Sequence, residues 1–325
     1  MTKIITLTAN PAIDISTKLG KIEPFTKLRC APARRHPGGG GINVARAVKR
    51  LGGEVAAIYP AGGIAGGLLR SLVDQEGVQS LVIAAAEETR ENFTVFEDST
   101  GRQYRFLLPG PALSEAEADE CLARLESAEP APDFLVTSGS LPPGLAEDFF
   151  ARATDIAKAR GAKVVVDSSG AALKAAVARG VYLIKPNRRE FCELTGETSR
   201  EDAALVRAAR KLIAAGLVEL IALTRGPEGA LLIGRDRVWR AEGLPIEAVS
   251  VVGAGDSFTG AMVLALAQNK SPDAALRSAV AAGSAALLSP GTELCRPEDV
   301  ARLLPQVVVR EATFPALRDE SSCDA

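Results

Sequence analysis

The stretch that decides the fold is residues 250–262, SVVGAGDSFTGAM, where a short β-like run meets a helix at two glycines. The helix carries an apolar stripe at helical spacing, formed by Phe258, Ala261, Met262 and Ala265. Two glycines at the junction let successive backbone N–H groups point at one spot, where the helix dipole adds positive potential. The turn Gly253-Ala254-Gly255 therefore predicts an anion-binding nest at a helix N-terminus.

Asp256 follows this turn immediately. A carboxylate beside an anion site would be repelled by its ligand, unless its task is to take a proton from a nucleophile that attacks the anion. The alternative is a helix N-cap, a role that contributes about 1 kcal/mol. The string GAGD alone leaves both interpretations open.

A second glycine-rich stretch, PGGGGINVARAVKRLGG at residues 37–53, also leads into a predicted helix. Four consecutive glycines begin with Gly38 and Gly39, whereas a tight loop would need only one or two. The bare backbone of this run therefore indicates close approach of a ligand. Asn43 can offer a donor and an acceptor to sugar hydroxyls, or it can cap the helix. The string is neither a P-loop nor a G-x-G-x-x-G fingerprint, which disfavours those nucleotide-binding folds.

Around these motifs, short β-branched runs alternate with amphipathic segments. The runs are IITLT, VAAIYP, FLVTS and KVVVD, and the helices that follow them are predicted to begin near Ile42, Gly66, Ala146 and Ala171. This rhythm predicts an α/β fold with a mainly parallel central sheet flanked by helices.

Two segments, 13–34 and 88–108, break the rhythm. Alternation of Phe93, Val95, Tyr104 and Phe106 around a Ser-Thr-Gly turn predicts antiparallel strands, which we expect to form a small β-lid beside the main sheet. Residues 1–310 would then be one catalytic domain with its lid. Residues 311–325 are polar and lack periodicity, so we expect a disordered tail.

Composition narrows the class of protein. The 325 residues are 47% hydrophobic, and 38 basic against 40 acidic residues leave a net charge of -2, so neither nucleic acid nor an anionic membrane is an expected partner. The chain lacks a signal-like segment, a bilayer-length apolar run and paired cysteines, so we expect a cytoplasmic protein. A single histidine disfavours histidine-rich metal sites and Ser-His-Asp catalysis.

With both glycine motifs in this order, the sequence resembles the ribokinase-like (PfkB) carbohydrate kinases. Further strings resemble the bacterial minor 6-phosphofructokinase branch of that family: TLTANPAID, KLRC, QYRF, SGSLPPG, VVDSSG, KPNRRE and GTELC. The resemblance extends to about Pro305 and implies the ribokinase-like fold, with ATP and Mg²⁺ as cofactors. It also implies that Asp256 is the catalytic base.

For the acceptor sugar, the resemblance implies that Asp14 grips hydroxyls. Gly38, Gly39, Asn43 and Ser140 would complete that pocket. Arg90 and Arg105, on the predicted lid strands, would bind the phosphate of a phosphorylated sugar, since an arginine fork suits phosphate. Lys27 and Arg29 would be contributed across a homodimer formed through the lid.

For the nucleotide, the resemblance assigns Lys185 to ATP, and Asn187 and Glu190 to Mg²⁺ and its waters. The phosphates would be cupped by Thr224, Gly226 and Gly229, and the adenine slot would be lined by Val280, Gly283 and Ser284. Small residues in AVAAGSAA could equally reflect close helix packing. Arg225 is unusual within this string, and contact with nucleotide or only with solvent is open.

Monovalent cation sites in such kinases use backbone carbonyls before the GAGD turn and after the small-residue helix. Here a K⁺ site would fall at Ser250, Val252, Ala286, Ser289 and Gly291.

The implied reaction is transfer of the γ-phosphate of MgATP to the C1 hydroxyl of fructose 6-phosphate, giving fructose 1,6-bisphosphate in glycolysis. Tagatose-6-phosphate kinase and 1-phosphofructokinase are the alternatives within the enzyme class. A sugar-phosphate sensor without catalytic activity is a remote alternative, because Asp256 and Glu190 are both present.

Overall fold

The computed structural model describes residues 3–314, in which helices cover both faces of a large sheet and a smaller sheet stands at its edge. The strands are β1 (Ile4–Leu7), β2 (Ala12–Leu19), β3 (Arg34–Gly38), β4 (Val55–Ala61), β5 (Gln79–Ala84), β6 (Arg90–Glu97), β7 (Arg102–Phe106), β8 (Phe134–Ser138), β9 (Lys163–Asp167), β10 (Val181–Ile184), β11 (Val218–Thr224), β12 (Ala230–Ile233), β13 (Val238–Ala241) and β14 (Val309–Glu311). The α-helices are α1 (Gly40–Arg50), α2 (Gly63–Gln75), α3 (Glu115–Glu126), α4 (Phe149–Ala159), α5 (Gly170–Val177), α6 (Arg188–Thr195), α7 (Asp202–Ala214), α8 (Ala254–Ala267), α9 (Pro272–Ala286) and α10 (Pro297–Leu303).

The main sheet has the order β14-β13-β12-β11-β10-β9-β8-β1-β4-β5. The strands from β5 to β11 in this order pair in parallel, and β12, β13 and β14 add an antiparallel edge. The predicted α/β fold with a mainly parallel sheet is confirmed. Alternate residues of the central strands enter two cores, as Ile4 and Ile5 do, because both faces of a parallel sheet are covered by helices.

Helices α1 and α8 pack on the same face of this sheet. They approach closely at Gly260, where a Cβ atom would lie 2.8 Å from Cβ of Ala47 and 3.0 Å from the carbonyl oxygen of Val44. Any larger residue at position 260 would push the two helices apart. Their N-termini, each preceded by a glycine turn, are thereby held side by side.

The smaller sheet has the order β3-β2-β6-β7 and is called the lid below. Strands β6 and β7 pair antiparallel across the Ser-Thr-Gly turn, whereas β2 and β6 pair in parallel, with Asp14 opposite Asn92. The glycine run contributes to the lid as well, because β3 ends at Gly38 and pairs with β2.

Several predicted boundaries differ from the structure. Helices α1, α2, α4 and α5 begin at Gly40, Gly63, Phe149 and Gly170. The β-like run at 250–252 is wrong as a strand, because this segment has no strand beside it. The backbone N–H groups of Val249 and Ser250 donate instead to the carbonyl oxygen of Leu287, at the end of α9.

At the C-terminal end, the sheet continues into the segment for which disorder was predicted. Strand β14 ends at Glu311, and the backbone N–H of Ala312 donates to the carbonyl oxygen of Val238. Residues 315–325, the rest of that predicted tail, lie outside the described residues. Across residues 3–314, every helix is too short or too polar to cross a membrane.

Burial predicts that truncation of two isoleucines will lower the free energy of unfolding by very different amounts. Ile58 in β4 is fully buried, whereas Ile64 in α2 is 89% exposed. We expect Ile58→Ala to lower the free energy of unfolding by about 2–5 kcal/mol because it leaves a cavity. The matched control Ile64→Ala should stay within about 0.5 kcal/mol in denaturant titrations. Equal losses for the two variants would contradict this assignment of the core.

Candidate active site

The site begins at the N-terminus of α8. Gly253 precedes this helix in the left-handed conformation, with φ of 78°, and a Cβ atom there would lie 2.3 Å from Cδ2 of Leu294. Among residues 3–314 no side chain caps this helix, so the N–H groups of its first turn remain available to a ligand. Backbone at Gly253, Ala254 and Gly255 therefore forms the kind of N-terminal site that binds anions.

Asp256 lies in the first turn of α8, and one oxygen of its carboxylate, Oδ2, accepts a hydrogen bond from Nδ2 of Asn43 at 2.9 Å. Asn43 lies inside α1, whose N-cap residue is Gly39. The capping interpretations of both residues are therefore wrong. The structure joins the two glycine motifs of the sequence through one side-chain hydrogen bond.

The surroundings of Asp256 raise its pKa to about 7. Desolvation is the largest cause, and the negative charge of Asp167 adds to it; Asp14 acts in the same direction more weakly. The hydrogen bond from Asn43 and the positive charge of Lys185 oppose the shift. A carboxyl group with this pKa can accept a proton near neutral pH.

Lys185 and Asp167 form a buried ion pair below the nest, with 3.1 Å between Nζ and Oδ1. The other oxygen of Asp167 accepts a hydrogen bond from Oγ1 of Thr259 at 2.8 Å. Burial is the largest single influence and alone would lower the pKa of Lys185, but Asp167, Glu190 and Asp256 together raise it. Nζ of Lys185 lies 3.3 Å from the place where a Cβ on Gly255 would stand, so a fixed positive charge adjoins the nest.

Asp14 occupies β2 at the base of the lid. A Cβ atom on Gly38, in the paired strand β3, would lie 2.4 Å from Oδ2 of Asp14, so this position accepts only glycine beside the carboxylate. Gly39 has φ of 107°, which other residues rarely adopt. Sequence reasoning missed Asn92, whose Nδ2 donates to Oδ1 of Asp14 at 3.0 Å. Burial raises the pKa of Asp14, against the hydrogen bond from Asn92 and nearby arginines.

The other residues predicted to bind the acceptor sugar differ in their contacts. Oγ of Ser140 accepts a hydrogen bond from the Asn10 amide at 3.3 Å. Arg90 donates to the carbonyl oxygens of Asn10, Pro11 and Leu108, and Arg105 is exposed on β7.

Lys27 and Arg29 stand on the exposed connection between β2 and β3. Within residues 3–314 they form no hydrogen bond or ion pair with the other predicted acceptor residues.

A cavity of about 420 Å³ opens beside the nest, and Ala254 and Gly255 form part of its lining. The residues predicted to bind nucleotide line it together: Asn187, Thr224, Gly226, Gly229, Val280, Gly283 and Ser284. Sequence reasoning missed much of its apolar wall, which comprises Pro227, Leu244, Ile246, Val251, Phe258 and Leu287. The segment 243–248 contains no motif, so only the fold shows that it faces this cavity. Lys185 does not line the cavity and lies beneath the nest instead.

Two glycines of this cavity have separate structural reasons. Gly229 has φ of 90°, and a Cβ atom there would lie 2.2 Å from the carbonyl oxygen of Ala241, so the turn after β11 requires it. Gly283 allows α9 to approach α8, since a Cβ would lie 3.3 Å from the carbonyl oxygen of Ala254. Close helix packing and a small-residue slot are therefore both present at Gly283.

Arg225 is buried and contacts protein atoms. Its Nη1 donates to Oδ2 of Asp202 at 2.8 Å, and its Nη2 donates to the carbonyl oxygen of Glu228 at 2.8 Å. Arg188 also pairs with Asp202 and Glu228. These ion pairs fix the turn at 225–229 to α6 and α7, so contact with solvent alone does not describe Arg225, and its contact with nucleotide stays a prediction.

The residues predicted to hold Mg²⁺ form a capping box at the start of α6. The backbone N–H of Glu190 donates to Oδ1 of Asn187 at 3.0 Å, and that of Asn187 donates to Oε2 of Glu190 at 2.9 Å. Within residues 3–314 no group of three or more His, Cys, Asp and Glu side chains could hold a metal. One carboxylate and one amide oxygen fit Mg²⁺, which keeps water and phosphate as most of its ligands.

The positions predicted for K⁺ meet where α9 ends and the segment before α8 passes. Oγ of Ser250 donates to the carbonyl oxygen of Gly291 at 3.1 Å, and the N–H of Val252 donates to that same Oγ at 3.2 Å. The N–H of Ser289 donates to the carbonyl oxygen of Ala286 at 3.1 Å. The hydroxyl of Ser289 is buried without a partner among the described residues.

Other proteins resemble this chain over most of its length. The chain is 44% identical over 300 residues to an ATP-dependent 6-phosphofructokinase isozyme 2 of Mycobacterium tuberculosis, covering 92% of this chain and 88% of that one. It is 41% identical to the enzyme of that description from Escherichia coli, covering 93% and 98%. A 1-phosphofructokinase of Xanthomonas campestris is 36% identical, with 94% of each chain covered.

Solved structures of related proteins have the same fold. The crystal structure of phosphofructokinase-2 from Escherichia coli in complex with potassium superposes with a TM-score of 0.90 at 40% identity, covering 94% of this chain and 99% of that one. The complex of that enzyme with fructose-6-phosphate gives 0.88 at 39% identity and the same coverage. Residues 4–299 match the family described as pfkB family carbohydrate kinase. The chain therefore belongs to the pfkB family of carbohydrate kinases.

Proposed function

We propose that this chain is an ATP-dependent 6-phosphofructokinase, which phosphorylates the C1 hydroxyl of fructose 6-phosphate. The observation that carries the proposal is the position of Asp256. Its carboxyl group has a pKa of about 7 and lies beside an anion-binding helix N-terminus, with the cavity on one side and Asn43 on the other. The relatives with the highest identities given above are named for this activity.

In the proposed mechanism, Asp256 accepts the proton of the sugar hydroxyl as the hydroxyl oxygen attacks the γ-phosphorus of ATP. The bond from that phosphorus to the β,γ-bridging oxygen breaks, and ADP leaves. The N–H groups of Gly253, Ala254 and Gly255 stabilise the negative charge that develops on the phosphoryl oxygens. Lys185 contributes a fixed positive charge next to them. Asn187 and Glu190 would hold Mg²⁺, which neutralises phosphate charge when bound.

The preference for a sugar already phosphorylated rests on the lid. Arg105 is exposed on β7, and its charge, like that of Arg90, acts on Asp14 and opposes the burial that raises the pKa of that group. A phosphate at C6 could therefore lie against these arginines while Asp14 holds hydroxyls. The 1-phosphofructokinase alternative places the phosphate at the other end of the sugar, and a relative at 36% identity bears that name.

Three further features belong to this proposal. K⁺ binds between the 250–252 segment and the 286–291 loop, supported by the unpartnered hydroxyl of Ser289 and by the potassium complex of the Escherichia coli enzyme. Two chains associate through the lid, on which Phe25, Phe93 and Phe106 are exposed, and Lys27 and Arg29 reach the partner's acceptor site. The protein works in the cytoplasm, in glycolysis.

A substrate panel tests the acceptor. Initial rates with MgATP should be highest for fructose 6-phosphate, compared with tagatose 6-phosphate, fructose 1-phosphate and ribose. Arg105→Gln should raise the KM for fructose 6-phosphate about 10- to 100-fold, because a charged hydrogen bond contributes about 1.5–3 kcal/mol. The control Arg102→Gln, on the opposite face of β7, should leave the KM unchanged. Preference for fructose 1-phosphate or ribose would reject the proposal.

Replacement of the base tests the chemistry. Asp256→Asn should lower kcat by a factor of at least about 10² because no other group takes the proton. Equilibrium dialysis should show nearly unchanged ATP binding. The control Asp236→Asn, in the exposed turn between β12 and β13, should behave like the unmodified protein. More than a few per cent of residual activity in Asp256→Asn would rule out Asp256 as the base.

The raised pKa of Asp256 also predicts the pH dependence. Because the base must be ionised, kcat should rise with pH through a midpoint near 7 and reach a plateau above it. The rise should be tenfold per pH unit well below the midpoint. Single-turnover rates at saturating substrate between pH 5.5 and 8.5 would show it, and a flat profile over that range would contradict a base with this pKa.

A further inference from the structure

Arg46, on α1, is an arginine whose side chain is fully buried. Burying a guanidinium costs several kcal/mol unless every donor finds an acceptor. The mechanism proposed above gives this residue no task. Its contacts nevertheless converge on the residues of the site.

The donors of Arg46 divide into two groups. Nε and Nη2 both donate to Oε1 of Glu76, at 3.0 and 2.8 Å. Nη1 turns the other way, to Oδ1 of Asn43 at 3.1 Å and to the carbonyl oxygens of Pro37 at 2.9 Å and Thr292 at 3.2 Å. One end of the guanidinium is therefore neutralised, and the other faces the active site.

The contact with Asn43 determines how its amide is oriented. A guanidinium has only donors, so the atom of Asn43 that faces Arg46 must be the carbonyl oxygen. The amide nitrogen then faces Asp256, to which it donates at 2.9 Å. If the amide rotated by half a turn, two donors would oppose each other at Arg46 and two acceptors at Asp256.

The carbonyl contacts of Nη1 reach two further segments, the end of β3 and the loop after α9. Pro37 directly precedes Gly38, which lies against the carboxylate of Asp14. Thr292 directly follows Gly291, whose carbonyl oxygen accepts from Ser250. The buried guanidinium of Arg46 thus holds the Asn43 amide, the end of β3 next to Asp14, and the loop after α9.

Resting on the proposed role of Asp256, we propose that Arg46, supported by Glu76, is a positioning residue that orients the Asn43 amide toward the catalytic base. Arg46 touches neither Asp256 nor the reacting atoms in this arrangement. It acts through Asn43, and that separates it from a residue that only stabilises the packing of α1.

Arg50 offers a matched control on the same helix. It also pairs with Glu76, with 2.6 Å between Nη2 and Oε1, and it donates to the carbonyl oxygen of Glu293. It does not contact Asn43. Loss of either arginine removes one positive charge from Glu76, but only loss of Arg46 frees the amide.

The experiment is a double-mutant cycle with fructose 6-phosphate and MgATP. Arg46→Met should lower kcat about 10- to 100-fold alone, but less than about threefold further in an Asn43→Ala background, because coupled residues are not additive. Arg50→Met should keep kcat within about threefold of the unmodified protein, since Arg50 shares Glu76 with Arg46 but does not contact Asn43. The KM for ATP should change little in all variants.

The pH profile gives a second readout. Asp256 is faced by Asn43 from α1, Asp167 from β9, Asp14 from β2 and Lys185 from the end of β10. The charge of Arg46 acts on Asp14, but of the four, Arg46 donates a hydrogen bond to Asn43, and this contact keeps in place the hydrogen bond from Asn43 to Asp256. Since that hydrogen bond lowers the pKa of Asp256, Arg46→Met should move the kcat midpoint to higher pH. Arg50→Met should leave the midpoint in place.

Arg46→Lys covers the case in which the methionine variant does not fold. Lysine keeps the charge beside Glu76 but cannot hold all the acceptors of the guanidinium fork. It should show the same lack of additivity with Asn43→Ala. Equal fold-losses in both backgrounds, or an unchanged kcat, would overturn the positioning role. Inactivity of the unmodified protein toward fructose 6-phosphate would instead reject the proposed function.

Discussion

The close approach of α1 and α8 is the constraint on which the rest of the site depends. Gly260 permits it, because any Cβ there would meet backbone and side-chain atoms of α1. At this separation, Asn43 from one glycine motif reaches Asp256 from the other, although they are 213 residues apart in the chain. The parallel sheet beneath aligns both helix N-termini at one edge, as open α/β sheets do with their binding sites.

Electrostatic balance follows from this packing. The negative charges of Asp167 and Asp14 act on Asp256 and contribute to its raised pKa. Lys185 neutralises Asp167 from below, and Arg46 lies on the far side of Asn43. The site therefore holds one carboxyl group ready to change protonation state, while its neighbours have fixed partners.

Much of this could be predicted from the sequence, because the evidence was local. Alternation of strand and helix segments predicts the parallel sheet, and each glycine motif marks a helix N-terminus by its own residues. The apolar wall formed by Leu244 and Ile246 could not be predicted, since that segment has no periodicity and its neighbours come from distant elements. Asn92, Arg46 and Arg225 were missed or undecided for the same reason: a lone polar residue shows its partner only after folding.

The lid has a mechanical consequence. Its strands join the main body through short connections at 8–11, Gly39, 85–89 and 107–114. Asp14 lies on a lid strand and is bonded to a second one through Asn92, whereas the nucleotide cavity is built from the main body alone. Any rigid tilt of the lid therefore carries Asp14, the carboxylate proposed to hold the sugar, and leaves the cavity proposed for the nucleotide in place. In that proposal, tilting the lid changes the distance between the two reactants.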